Sequence, residues 1–137
     1  MTKLRVLVAD DHEEMRWMIS RVLVDHFDVV GAVADGASLV RAAIELHPDV
    51  IVSDIAMPLL TGPEAMNELK SRSHGVPFVL VTGDPSYVER WIEQGAVSIV
   101  DKIDIGYELI PAVRSAVAGE IYLSRGVRSH FLLDPPQ

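Results

Sequence analysis

Five short runs rich in β-branched residues recur along the chain, and after each comes a stretch whose apolar residues return at three and four. Leu4 to Ala9 reads LRVLVA and stops abruptly at Asp10, Asp11 and His12, as a strand buried on both faces does. From Glu13 to Phe27 the residues Met15, Met18, Ile19, Val22, Leu23 and Phe27 keep the helical period, and Asp11 with Glu14 has the form of a capping box. The alternation continues with DVVGAVA from Asp28, a helix from Ala37 to Leu46, DVIVSD closing at Asp54, and a helix from about Pro63 to Lys70. VPFVLVT then ends at Thr82, SYVERWIEQG follows, AVSIVDK closes at Lys102, and a last helix contains Tyr107 to Ala118.

Strands and helices in such strict alternation predict an α/β fold, and right-handed crossovers leave few ways to arrange it. The expected form is a doubly wound, flavodoxin-like (βα)5 parallel sheet of order 2-1-3-4-5, in which ligands bind beyond the carboxyl ends of the strands where the strand order reverses. Strand one ends in Asp10 and Asp11, strand three in Asp54, strand four in Thr82 and strand five in Lys102. Three carboxylates therefore converge at the switch point, with a hydroxyl and an ammonium beside them. Like charges at that spacing repel, and a hard divalent cation with oxygen ligands is the simplest remedy, which makes Mg2+ the natural candidate. Asp54 is then placed to act as a nucleophile toward a phosphoryl group, with Lys102 neutralising charge and Thr82 donating a hydrogen bond. Each residue alone has an ordinary reading: Asp11 as a helix N-cap, Asp54 and Thr82 as strand terminators, Lys102 as a solvated charge. Four strand ends bearing the needed types in the needed order favour the joint site.

Length and charge narrow the function further. With 137 residues, 49% of them apolar, the chain suits one globular domain, and no run approaches the length of a membrane span. Twenty acidic against twelve basic residues give a net charge of -8 with no cationic cluster, so direct nucleic-acid binding is not expected. The absence of cysteine removes disulfides and thiolate chemistry, and with no leader-like start a cytoplasmic location is expected.

The motifs VLVADDH at 6–12, SDIAMPLLTG at 53–62, LVTG at 80–83 and GAVSIVDK at 95–102 resemble those of the receiver domain of two-component response regulators, over about Lys3 to Ser124. The resemblance implies that Asp54 is the phosphoacceptor and that Asp10 and Asp11 hold Mg2+ with Asp54 and the backbone carbonyl of Ala56. It also implies that Thr82 is the switch hydroxyl, that Lys102 binds the phosphoryl group, and that Met57, Pro58 and Gly62 form the loop after the phosphoacceptor. The stretch AVRSAVAGEIYLS at 112–124 is similar to receivers that precede a LuxR-type helix-turn-helix domain, for which the residues from Arg125 to Gln137 are too few. Residues 1–122 are accordingly read as the receiver and 123–137 as a C-terminal extension or truncated linker.

Three positions depart from that pattern. Ile103 follows Lys102 where proline is usual, Ile99 stands at the position of a switch aromatic, and Pro111 lies within the expected last helix, where it favours a kink or a late start.

The implied function is phosphorylation-dependent signalling through protein contacts, with a sensor histidine kinase or phosphotransfer protein as donor and a second copy of the chain as a further candidate partner. The alternative is the N-terminal part of a DNA-binding transcriptional regulator. An aspartyl phosphatase would need a second aspartate where Ala56 stands, and a flavodoxin-like cofactor binder would have to build its phosphate loop from the acidic DDHEE segment. No enzyme with a separate substrate is therefore expected. Trp17, Arg21 and Val24 share a stripe off the core face of helix one and form a candidate partner surface, the alternative being that Trp17 packs on the last helix. On helix four Val88, Trp91, Ile92 and Gly95 share a face, which places Trp91 where it can fill the space of an aromatic at 99.

Overall fold

The computed structural model describes residues 3–93 and 98–133. Among them six strands, β1 (Arg5–Ala9), β2 (Asp28–Val33), β3 (Val50–Asp54), β4 (Phe78–Thr82), β5 (Ser98–Asp101) and β6 (Tyr122–Leu123), form one sheet of order β2-β1-β3-β4-β5-β6. Every neighbouring pair is parallel. The first five strands keep the order expected from sequence, and β6 extends the sheet beyond β5. Among the described residues, six helices cover it: α1 (Glu13–Leu23), α2 (Gly36–Leu46), α3 (Gly62–Ser71), α4 (Val88–Glu93), α5 (Ile105–Val117) and α6 (Arg125–Leu133). Among the described residues, no helix is long and apolar enough to cross a membrane.

Successive side chains on a strand point to opposite faces, and the core divides on that period. Leu7, Ile51, Phe78, Leu80 and Ile99 pack into one cluster with α2 and α3, which Val127 of α6 also enters. Val6, Val8, Val50, Val52, Val79, Val81 and Val100 face the other way, against Ile19 and Leu23 of α1 and Leu109 and Val113 of α5. Burial on both faces is why these strands read as continuous apolar runs rather than as alternating ones.

Several local expectations change. The capping box at Asp11 and Glu14 does not form: His12 is the N-cap of α1 and makes no side-chain cap bond, which leaves the Asp11 carboxylate in the acidic group at the strand ends. Helix one ends at Leu23, because the chain turns through Val24 to His26 so that the Asp28 amide can reach the Leu4 carbonyl at 2.9 Å and begin β2. Phe27 is buried all the same, beneath the Arg114 guanidinium, 5.6 Å from its ring centre. Instead of starting late, α5 runs from Ile105 straight through Pro111. The carbonyl deprived of its donor there belongs to Tyr107, an exposed residue whose oxygen can turn to water. The turn after β5 closes without a proline: Lys102–Asp104 forms a 3₁₀ turn in which the Asp101 carboxylate accepts from the Ile103 amide at 3.1 Å.

Beyond 122 the chain packs on the body through Leu123, Ser124 and Val127. β6 pairs with β5 at Ser98 to Tyr122 and Ile99 to Leu123, and Val127 is fully buried.

Candidate functional site

The carboxyl edge of the sheet gathers the strand-end residues into one cleft. β1 and β3 are neighbours, so Asp10, Asp11 and Asp54 meet. Ligand atoms of these three residues and of His12 all lie within 4.8 Å of one another. Asp10 is fully buried. One of its oxygens accepts from the His12 amide at 2.9 Å, while Oδ2 has no hydrogen-bond partner among the described residues. An orphaned buried carboxylate oxygen is costly unless something outside the protein meets it, and hard oxygen donors of this kind suit a divalent cation. The donor set therefore fits the Mg2+ expected from sequence, with Asp11 half open to solvent beside it. His12 Nδ1 stands 3.3 Å from Asp11 Oδ1 and 3.5 Å from Asp10 Oδ1, a neighbour that strand-end reading did not assign to the group. Its adjacency in sequence to the two aspartates was the available signal.

Asp54 closes β3 and is only 5% exposed. Burial pushes its carboxyl above the usual range, Lys102 pulls it down, and Asp10 raises it again. Lys102 Nζ donates to Asp54 Oδ2 at 3.4 Å, from a turn two strands away. The loop after Asp54 folds back beneath it. Gly62 lies so close that a Cβ there would sit 2.5 Å from the Asp54 carbonyl oxygen, which excludes any other residue without a shift of the backbone. Leu59 in the same loop adopts a positive φ of 70°, and Met57 is buried in the core. Thr61 then caps α3, its Oγ1 accepting from the Glu64 amide while Glu64 accepts from the Thr61 amide.

Thr82 ends β4 at the far wall of the cleft. Its hydroxyl donates to the Asp84 carbonyl at 2.8 Å and accepts from the Asp84 amide at 3.0 Å, so it is bound within its own turn. The cleft holds about 350 Å³ and is lined by His12, Asp54, Ala56, Thr82, Trp91 and Lys102 among others. Trp91 thus borders the site and also packs against the cluster that contains Ile99. Ile99 itself is fully buried. Gly95, the last member of the helix-four face expected from sequence, lies outside the described residues. Trp17 is 67% exposed on α1, beside Met18, Glu13 and Glu14.

Comparison with known proteins agrees with this geometry. The model of the response regulator receiver domain matches residues 6–114. The chain is 35% identical to response regulator GacA of Pseudomonas viridiflava over 135 residues, covering 95% of this chain and 63% of that protein. It is also 35% identical to the transcriptional regulatory protein LiaR of Bacillus subtilis, over 94% of this chain and 63% of the relative. The chain thus spans less than two thirds of the length of these relatives. Among solved structures, the response regulator domain of Thermotoga maritima CheB shares 29% identity with a TM-score of 0.77, over 85% of this chain and 97% of that one. A LuxR-family response regulator from Aurantimonas sp. SI85-9A1 shows the same fold with a TM-score of 0.87 at 23% identity, over 97% and 98% of the two chains. With the family model spanning the sheet from β1 into α5 and the acidic cleft at its carboxyl edge, the chain belongs to the receiver-domain family of two-component response regulators.

Proposed function

We propose that Asp54 accepts a phosphoryl group from a histidine kinase or phosphotransfer protein and that the chain then signals by protein contact. The observation that carries this reading is the Lys102 ammonium 3.4 Å from the buried Asp54 carboxylate, in a cleft where an Asp10 oxygen has no partner among the described residues. In the transfer an Asp54 oxygen attacks phosphorus, an O–P bond forms, and the donor's N–P bond breaks with its electron pair returning to the imidazole nitrogen. Asp54 must be ionised to attack, and Lys102 favours that form. Lys102 also faces the negative charge that arrives on the phosphoryl oxygens. Asp10, Asp11, Asp54 and the Ala56 carbonyl would hold Mg2+, which when bound neutralises charge on the carboxylates and on the incoming oxygens. Thr82 gains a reason to leave the Asp84 backbone, because a phosphoryl oxygen is a stronger acceptor than a carbonyl. The role is that of a phosphoacceptor in the cytoplasm, with no turnover of a separate substrate. The exposed Trp17 and Met18 of α1, flanked by Glu13 and Glu14, are the candidate docking surface for the donor or for a second copy.

A second reading, the receiver portion of a longer DNA-binding regulator, is favoured by the relatives that extend well beyond the matched region. A reading frame that continues into a helix-turn-helix would select it.

The test is phosphorylation by acetyl phosphate or a purified kinase, followed by mass spectrometry. Wild type should gain one phosphate that Asp54→Ala does not, and chelation of Mg2+ should abolish the gain. Undiminished labelling of Asp54→Ala would sink the assignment.

A further inference from the structure

The turn that carries Lys102 is tied down by a segment more than twenty residues downstream. Ser124 is fully buried between β6 and α6. Its Oγ accepts from the Asp101 amide at 2.9 Å and donates to Asp104 Oδ2 at 2.7 Å, so one hydroxyl bridges the residues on either side of Lys102 and Ile103. The Ser124 amide donates to the Ile99 carbonyl at 3.0 Å, which fixes the hydroxyl to β5 itself. Asp104 Oδ2 also accepts from the Gly126 amide at 2.7 Å, at the start of α6. Gly126 comes so near that a Cβ would lie 2.7 Å from Asp101 Oδ2 and 2.9 Å from Asp101 Cβ and Asp104 Oδ2. A side chain there would push directly on the turn.

A lysine ammonium is a point charge on a flexible stem, so where it acts depends on how firmly its backbone is held. We propose that Ser124, together with the close approach at Gly126, is a positioning residue for Lys102 and sets how tightly the cleft holds a phosphoryl-like anion. The proposal rests on the reading of Asp54 as phosphoacceptor. It separates two functions of the cleft. The carboxylates of the acidic group stand on β1 and β3 or just beyond them, whereas Ser124 touches only the β5 end, so cation binding should be indifferent to Ser124 while anion binding depends on it.

The experiment titrates the full chain with magnesium chloride by calorimetry, then with beryllofluoride at saturating magnesium by fluorine NMR. Ser124→Ala should bind beryllofluoride roughly fivefold more weakly, the scale of one buried hydrogen bond, with magnesium affinity unchanged. Gly126→Ala, which keeps the hydroxyl but crowds the turn, should show the same split and serves if Ser124→Ala folds poorly. Arg128→Ala, which removes the 3.7 Å ion pair from α6 to Glu108 and leaves Ser124 and Gly126 in place, should match wild type in both titrations. Unchanged beryllofluoride affinity in Ser124→Ala and Gly126→Ala, or an equal loss of both ligands, overturns the positioning role. A wild-type chain that binds magnesium but no beryllofluoride overturns the phosphoacceptor reading and this proposal with it.

Discussion

Asp54 is a buried acid with a cation on one side and a second acid on the other, and burial is the largest influence on its proton. A carboxyl whose pKa is higher in the folded than in the unfolded chain binds its proton more tightly when folded. Its contribution to stability is then full below the unfolded value and falls as the pH rises through the folded value. In magnesium-free buffer at neutral pH, Asp54→Asn should therefore melt a few degrees above wild type, and the gap should close as the pH drops below the ordinary carboxylate range. Thermal melts of both proteins at several pH values check this, and a gap that is constant with pH would refute it. At this scale the sequence showed which chemistry-bearing side chains end the strands, because Asp10, Asp11, Asp54, Thr82 and Lys102 each follow an unmistakable apolar run. It did not show which of them lacks a partner, nor that Ser124 and Asp101 bond across 23 residues. Those facts depend on non-local contacts, and Ser124 reads in sequence as one more polar residue after a short run.

The strands were legible as continuous apolar runs because they are buried on both faces, the helices were legible by their period, and what escaped was short or irregular. β6 has two residues and no periodicity of its own, and the start of α1 at His12 lacks the side-chain bond that a cap residue usually supplies. α4 is described over Val88–Glu93, after a 3₁₀ turn at Pro85–Tyr87, and it places Trp91 on the rim of the cleft that holds Asp54 and Thr82. With Ile99 fully buried on β5, the aromatic near the site comes from a helix rather than from the strand. The Thr82 hydroxyl is bonded to Asp84, two residues past the end of β4 and directly before that turn. If Thr82 leaves Asp84 for a phosphoryl oxygen, the turn loses two hydrogen bonds and α4 is freed to shift. In a Trp17→Phe background, beryllofluoride with magnesium should change Trp91 emission, and Thr82→Ala should abolish the change while retaining beryllofluoride. An unchanged spectrum at confirmed occupancy would remove Trp91 from the response, and a normal response in Thr82→Ala would remove the hydroxyl.

For the molecule as a whole, packing continues past α5. A boundary at 122 follows from reading the chain as five βα units, and it leaves β5 as the edge of the sheet. In the structure that edge is covered: β6 adds a strand, the Ile99 carbonyl and the Asp101 amide are both bonded to Ser124, and Val127 is fully buried against the cluster built on Leu80 and Ile99. Removing residues 122–137 would expose the Val127 site and strand two backbone groups at the edge, where water replaces them imperfectly. Burial of a valine is worth about 2 kcal/mol and each of these hydrogen bonds about 1 kcal/mol, which in a domain of this size corresponds to a melting shift on the order of 10 °C. We expect the chain cut after residue 121 to keep its far-ultraviolet circular dichroism but to melt lower by about that amount, with weakened beryllofluoride binding because the Lys102 turn has lost Ser124. Equal melting points would instead support a receiver that closes on itself at residue 122, with β6 and α6 resting on a fold that does not need them.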